Sequence, residues 1–360
     1  MSNMNTIPEA ESVRISIVVA CRNEGNSVRS LLESILNQDL EDSWEAIFAD
    51  GMSTDQTRDI LRAYCARDSR LRFIDNPKLI VSAGLNSAIA MARGEVIIRM
   101  DGHTRYAPDY CRMCVRALDT TGADNVGGPA RTQTESILGQ AVATAFHSRF
   151  STGGAKFHDV SYRGWVDTIP YGCWRKATLQ NLGLFDETLV RNQDDELNLR
   201  LTKSGGKIWQ DPSIISWYSP RADLSKLFRQ YFQYGFWKVA VIRKHRLPSS
   251  WRHLVPVLWL ISNVVLLGTM AISKVMHLDG HFVAAGLVWL TMAGLYLFAT
   301  LVASFSAASG GDWIILAYLP AVFATFHCSY GLGFASGLVH FRNHKTSPPA
   351  TSSAFAKLTR

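Results

Sequence analysis

Acidic side chains at the ends of apolar, β-branched runs mark where this chain could do chemistry. Asp101 and His103 stand two apart just after the run Val96 to Met100, so in an extended stretch both side chains can face one side. One carboxylate and one imidazole suit Mg2+ or Mn2+, with water and phosphate oxygens filling the remaining positions. A lone D-x-H is equally the pattern of a turn aspartate beside a surface histidine; its place at a strand end is what favours the metal. A second constellation is Gln193-Asp194-Asp195-Glu196. Leu197 and Leu201 give it a helical face, which puts the acids in a first turn, where the helix dipole alone would favour them. Three consecutive acids exceed what capping requires, and crowded like charges raise a carboxyl pKa toward that of a useful base.

These groups need elements to position them, and the first hundred residues supply an alternating pattern. Ile15 to Ala20, Trp44 to Ala49, Leu71 to Ile74 and Val96 to Met100 read as short buried strands. Between them lie helical spacings. Val28, Leu31, Leu32, Ile35 and Leu36 follow a cap at Asn26 or Ser27; Ile60, Leu61, Tyr64 and Cys65 follow a cap at Ser53 or Thr54; Ser82 to Arg93 is stopped by Gly94. The order β-α-β-α-β-α-β predicts an α/β fold with a mostly parallel sheet and helices on both faces. Ligands of such sheets bind beyond the carboxyl ends of the strands. Arg22, Asn23 and Glu24 follow strand one, Asp50, Ser53, Thr54 and Asp55 strand two, Asp75 and Asn76 strand three, and Asp101 to His103 strand four. Every strand delivers polar or acidic groups to one edge. Neither G-x-G-x-x-G nor G-x-x-x-x-G-K-[ST] is present to cradle phosphate, so a diphosphate in this acidic crevice would need a divalent cation as its partner.

The composition changes near Leu254. Leu254 to Ser273, Phe282 to Ser304 and Trp313 to Val339 are apolar and long enough to cross a bilayer, the last interrupted by Pro320, His327 and several glycines. Lys/Arg density before Trp251 places the N-terminal part in the cytoplasm. Three full spans would put Arg342 and Lys345 outside, so either one segment is re-entrant or the rule does not hold for this short tail. The 37 Lys and Arg against 30 Asp and Glu give a net charge of +7; with no dense basic run among aromatics, the excess fits lipid headgroups rather than nucleic acid. Met1 to Glu11 is polar and acidic, which predicts free thiols in a reducing cytoplasm for the six cysteines. Cys111 and Cys114 form a lone C-x-x-C without a second ligand pair and read as two positions on one helix face. The expected domains are 1–223, catalytic; 224–250, an amphipathic segment at the membrane interface; 251–342, two to three spans; and 343–360, a disordered Ser/Thr/Pro-rich tail.

The strings S-I-V-V-A-C-R-N-E, A-D-G-M-S-T-D-Q-T, N-P-K-L-I-V-S-A-G-L-N and G-E-V-I-I-R-M-D-G-H resemble the GT-A-fold family 2 glycosyltransferases. Gln193 to Arg200 looks like that family's E-D-x-[DE]-L-x-x-R element. With R-Q-Y-F-Q-Y-G-F-W-K and the apolar tail, the chain looks most like the succinoglycan-biosynthesis ExoA-type branch, over Arg14 to Phe341. The resemblance implies a Rossmann-like GT-A domain followed by transmembrane helices in the inner, plasma membrane. It implies transfer of one sugar, glucose from UDP-glucose, to a lipid-linked oligosaccharide in exopolysaccharide biosynthesis. Glu24, Asp50 and Asp55 would contact the nucleobase and ribose, and Asp101 and His103 the metal and diphosphate. Asp194 would be the general base of an inverting displacement, with Asp195 its alternative. Arg229, Lys238 and Arg243 are basic candidates for the diphosphate or acceptor.

The chain departs from the family pattern at Gln193, where a Glu is usual, and at His103, where a second acid is usual. The Q-x-x-R-W of processive synthases is absent; Gln230, Gln233 and Trp237 occupy that neighbourhood. This favours single transfer over a processive polysaccharide synthase, and the intact acids argue against an inactive membrane-anchored scaffold.

Overall fold

The computed structural model describes residues 13–247, 250–311 and 313–343. Within them the chain forms two compact units, one of residues 13–131 and 159–218, the other of 132–158 and 219–343. The expected continuous stretch 1–223 is thus interrupted by Thr132–His158, which groups with the C-terminal helices. The expectations for Met1–Glu11 and for the tail from His344 on lie outside the described residues.

In the first unit the alternation read from the sequence becomes β1 (Ile15–Cys21), α1 (Val28–Leu36), β2 (Trp44–Asp50), α2 (Thr57–Cys65), β3 (Leu71–Asp75), α3 (Val81–Met91) and β4 (Val96–Asp101). The four strands pair in parallel in the order β3-β2-β1-β4. The sheet continues beyond β4 through Cys173–Arg175, which runs antiparallel to it, then β6 (Asn125–Gly127), Ile208–Gln210 and Gly164–Val166. A short β5 (Thr104–Tyr106) precedes α4 (Tyr110–Thr121) and pairs with Ser216–Tyr218. β1 and β2 are buried along their whole length, as inner strands with both faces covered must be. Alternate residues serve the two faces: Ile15, Ile17 and Val19 pack with α1, α2 and α4, while Val18 and Ala20 pack with Leu85, Ala88 and Ile89 of α3. Cys111 and Cys114 are both buried on the inner face of α4, and all six cysteines are free thiols.

Two helix limits differ from the sequence reading. α2 starts at Thr57, because the Ser53 hydroxyl is taken by Asp50 instead of capping a helix. α3 ends at Met91, where Ala92 turns extended, so Gly94 is not its stop signal. Gly94 is there because a Cβ would lie 2.7 Å from the backbone of Ile15 and Ser16, and its N–H donates to the Ser16 hydroxyl at 2.9 Å. The same corner holds Glu45, wholly buried, which accepts from Ser16 (2.8 Å), the Arg93 backbone (2.6 Å) and Arg72 (2.7 Å).

The second unit is helical. Trp251–Val275, Asp279–Ala308 and Leu319–Arg342 are each long and apolar enough to cross a membrane. They differ in environment: only 6% of the most apolar stretch is buried in each of the first two, against 44% in the third. Its partner is the 22-residue helix Leu224–His245. A Cβ on Gly235 would lie 2.1 Å from the Tyr330 carbonyl, and one on Gly333 1.9 Å from the Phe232 carbonyl, so only glycine lets the two backbones meet this closely. Within the segment expected at the membrane interface, this helix buries Phe236, Trp237 and Lys238; burial removes Lys238 as a surface cation. Ile137–His147 and Arg149–Thr152 pack on the same bundle, through Ala141, Val142 and Ala145 against Ala308, Phe323 and Phe326.

Candidate active site

Parallel register brings the strand-end residues level. Asp50 stands opposite Cys21 on one side and Asp75 on the other, and Asp101 stands opposite Ala20. The loops leaving β1 and β2 are then stitched together. Asn23, in the left-handed region at φ 54° that asparagine tolerates, donates its N–H to Ser53 Oγ (2.8 Å) and accepts from the Thr54 N–H at Oδ1 (2.9 Å). The Glu24 N–H donates to Thr57 Oγ1 (2.8 Å), and the Gly25 N–H to Asp55 Oδ2 (2.9 Å). Asp55 also accepts from the Thr57 N–H and hydroxyl. Burial resists its ionisation, but these hydrogen bonds outweigh it and hold the carboxyl below its ordinary range.

The expected donor contacts therefore separate. Asp50 is fully buried; Ser53 Oγ (2.5 Å), the Ser53 N–H (3.0 Å) and Arg58 Nη1 (2.6 Å) occupy its oxygens. It has no exposed oxygen, and its partner Arg58 also reaches Asp75 at 2.7 Å. Asp55 is likewise committed to fastening the two loops. Glu24 does face the β4 corner: Oε2 accepts from Ser27 at 2.6 Å, and Oε1 lies 3.5 Å from His103 Nδ1.

At that corner Asp101 is fixed from behind by its own N–H, which donates to the buried Tyr106 hydroxyl at 2.6 Å. His103 Nδ1 lies 3.6 Å from Asp101 Oδ1, is buried, and makes no hydrogen bond. The ring edge packs against Tyr218 at 5.7 Å. An unsatisfied imidazole nitrogen between two carboxylate oxygens is the arrangement a divalent cation would relieve. Among the described residues no three His, Cys, Asp or Glu side chains are grouped so as to hold a cation unaided. The residues thus fit a cation shared with a ligand's phosphate oxygens, held by Asp101 and His103 on the protein side.

The residue that sequence reasoning missed is Arg99. It sits in apolar β4, only 3% exposed, over the Phe185 ring, and odd-numbered alternation puts it on the same side as Asp101. Its Nη1 pairs with Asp194, and its Nη2 lies 4.0 Å from Asp101 Oδ2. The signal was available: a lone arginine inside a buried strand requires a buried partner. Asp194 stands in the first turn of the helix Gln193–Lys203, as expected, and is about a third exposed. Burial pushes its carboxyl up; Arg99 opposes this, and Asp101 and Asp195 add to it. Asp195 lies beside it on the helix, but Asp194 is the acid that Arg99 joins to the Asp101 corner. Glu196 is used structurally: fully buried, it pairs with Arg200 at 2.7 Å, and Arg200 also donates to the Leu184 carbonyl. The site can therefore present a cation and a carboxylate of raised basicity along one strand edge.

Residues 16–174 match the model of glycosyl transferase family 2. The succinoglycan biosynthesis protein ExoA of Rhizobium meliloti is 35% identical over 250 residues, 69% of this chain and 76% of that protein. A dolichyl N-acetyl-α-D-glucosaminyl phosphate 3-β-D-2,3-diacetamido-2,3-dideoxy-β-D-glucuronosyltransferase of Methanococcus voltae is 24% identical over 90% of this chain and 97% of that one. Among solved structures, a mannosyltransferase from Pyrobaculum calidifontis in complex with GDP-mannose and Mn2+ superposes with a TM-score of 0.54 at 16% identity, over 90% of this chain and 87% of that one; it shares the fold.

Proposed function

The chain belongs to glycosyl transferase family 2, and on that premise we propose that it moves one sugar, with inversion, from a nucleoside-diphosphate sugar to a lipid-linked saccharide during exopolysaccharide assembly. The observation that carries this reading is the line of Asp194, Arg99, Asp101 and His103 along one strand edge. Asp194 accepts the proton of the acceptor hydroxyl as that oxygen attacks the anomeric carbon, and the nucleoside diphosphate leaves from the opposite side. Its raised pKa suits a base, and Arg99 fixes where the base stands. Asp101 and His103 would hold Mg2+ or Mn2+, which when bound would supply positive charge to offset the departing diphosphate. Glu24 lines the donor side, and Asp50, Asp55 and Arg58 keep the two loops beneath it in place. UDP-glucose is the donor we favour, from the likeness to the succinoglycan protein.

The lipid-linked acceptor draws support from the Methanococcus relative, whose name specifies a dolichyl-phosphate-linked acceptor, and from the apolar helices. We place two spans, Trp251–Val275 and Asp279–Ala308, in the inner membrane as a hairpin. The helix Leu319–Asn343 is half-buried against Leu224–His245 and stays on the cytoplasmic side. This arrangement keeps Arg243, Lys244, Arg246 and Arg342 on one side, in accord with the positive-inside rule. A panel of nucleotide sugars offered to membrane fractions, with release of free nucleoside diphosphate as the readout, tests the reading. One sugar should be used in preference and one residue added per acceptor; a ladder of products would show a polymerase instead.

A further inference from the structure

We infer that the second unit holds a site for the phosphate-bearing end of the acceptor's isoprenoid anchor, in a groove between Arg149–Phe150 and the last third of the helix Asp279–Ala308. The groove measures about 700 Å3, within the range of small-ligand sites. One wall is Phe298, Val302 and Ala303 of the apolar helix; the other carries His147, Arg149 and Phe150. Its floor is fixed, because the Phe150 ring stacks edge-on against Phe323 at 5.2 Å and His327 at 4.9 Å. His147 is committed to Thr132 and to the His158 carbonyl. Arg149 makes no ion pair among the described residues, so its guanidinium is the charge the groove offers.

Depth in the membrane favours a phosphate there. The 30-residue helix Asp279–Ala308 is about 45 Å long, longer than the roughly 30 Å hydrocarbon core. At the start of the first apolar helix, Arg252 packs directly on Gly153, so the segment Thr144–Gly153 touches the beginning of one candidate span and the end of the next. Both ends belong to the open side of a helical hairpin, at headgroup level. Charge complementarity then selects the occupant: an apolar chain lies along Phe298 and Val302, both exposed to lipid, and its phosphate or diphosphate meets the Arg149 fork. This rests on the reading above that the acceptor is lipid-linked, and it adds where that lipid is held.

The test is direct binding, independent of sugar transfer. The full chain in detergent is photocrosslinked with a diazirine-bearing geranylgeranyl phosphate, and the modified peptides are mapped. Labelling is expected on residues 144–150 and 298–307. Unlabelled geranylgeranyl phosphate should compete at least tenfold better than geranylgeraniol or phosphatidylglycerol. Arg149→Gln should erase the preference for phosphate over alcohol, Arg149→Lys should restore part of it, and Ala303→Trp, which fills the groove, should abolish labelling at an unchanged melting temperature. Labelling elsewhere, equal competition by phosphatidylglycerol, or an Arg149→Gln chain that still prefers phosphate would overturn the site. Groove labelling without sugar transfer to any lipid-linked acceptor would instead refute the functional reading and leave the site standing.

Discussion

Replacing Arg99 by methionine should slow turnover about thirtyfold without unfolding the protein. The magnitude comes from the geometry. Arg99 is 3% exposed, pairs with Asp194 and stands 4.0 Å from Asp101. Two unit charges 4 Å apart at an effective dielectric of about 20 attract by roughly 4 kcal/mol before desolvation is subtracted. Breaking a fully buried pair costs about 3–5 kcal/mol, and an exposed one about 0–1 kcal/mol. Asp194 is about a third exposed, which places this pair between the two, near 2 kcal/mol. Carried into the transition state as misplacement of the base, that is about thirtyfold in kcat. Arg99→Lys keeps the charge but not the fork, so it can hold one carboxylate at a time and should fall between. The pH profile gives a second readout. The base must be ionised, so activity falls as pH drops through the Asp194 pKa. With Arg99 gone, burial, Asp101 and Asp195 act unopposed, and the acid limb moves to higher pH. The assay is nucleoside diphosphate release with acceptor present, alongside thermal unfolding. An Arg99→Met enzyme within about threefold of the parent, with the acid limb unmoved, would refute the reasoning.

Three further outcomes are expected. Chelation should stop transfer and Mn2+ or Mg2+ restore it, and His103→Ala should raise the cation concentration for half-maximal activity by about tenfold or more; insensitivity to EDTA would remove the cation from the account. Glu45→Gln should destabilise the protein by about 1.5–3 kcal/mol at neutral pH, the range for hydrogen bonds to a charged group. Burial opposes the charge on Glu45, yet the bonds from Arg93 and Ser16 hold its pKa below the ordinary value. Its contribution is therefore complete above the unfolded glutamate pKa of about 4.3 and disappears as pH falls through the lower folded value; denaturant titrations of variant and parent should converge in acid. In a cysteine-free background, Met276→Cys should react with an impermeant maleimide on intact cells, and Val339→Cys only after permeabilisation. External labelling at Val339 would instead make the third apolar helix a span.

Periodicity revealed the parallel sheet because β1, β2 and β4 are mostly apolar on both faces, Glu45 and Arg99 excepted, and inner strands need that. It revealed the acids at the sheet edge for the same reason, since each follows an apolar run. What the alternation could not express is which acids are closed off by partners. Asp50 and Asp101 look alike in sequence, yet Arg58, eight residues after Asp50, closes its carboxylate, while Tyr106 fixes only the backbone of Asp101. Arg99 was hidden by the apolar residues around it, and its partner Asp194 lies 95 residues away. Composition makes Leu224–His245 look interfacial; it does not show the helix's packing, which the close approach of Gly235 and Gly333 to facing carbonyls reveals. The grouping of Thr132–His158 with the apolar helices rests on long-range contacts that no local pattern records.

The central claim is that Asp194 removes the acceptor proton. The most direct measurement is sugar transfer by Asp194→Asn, which keeps the shape and a hydrogen-bonding side chain at Arg99 but cannot take a proton at neutral pH. Transfer should fall at least about a hundredfold, the lower end for loss of a general base, while the affinity for nucleotide sugar changes little. Transfer by Asp194→Asn at the parent rate, with Asp195→Asn inactive in its place, would contradict it.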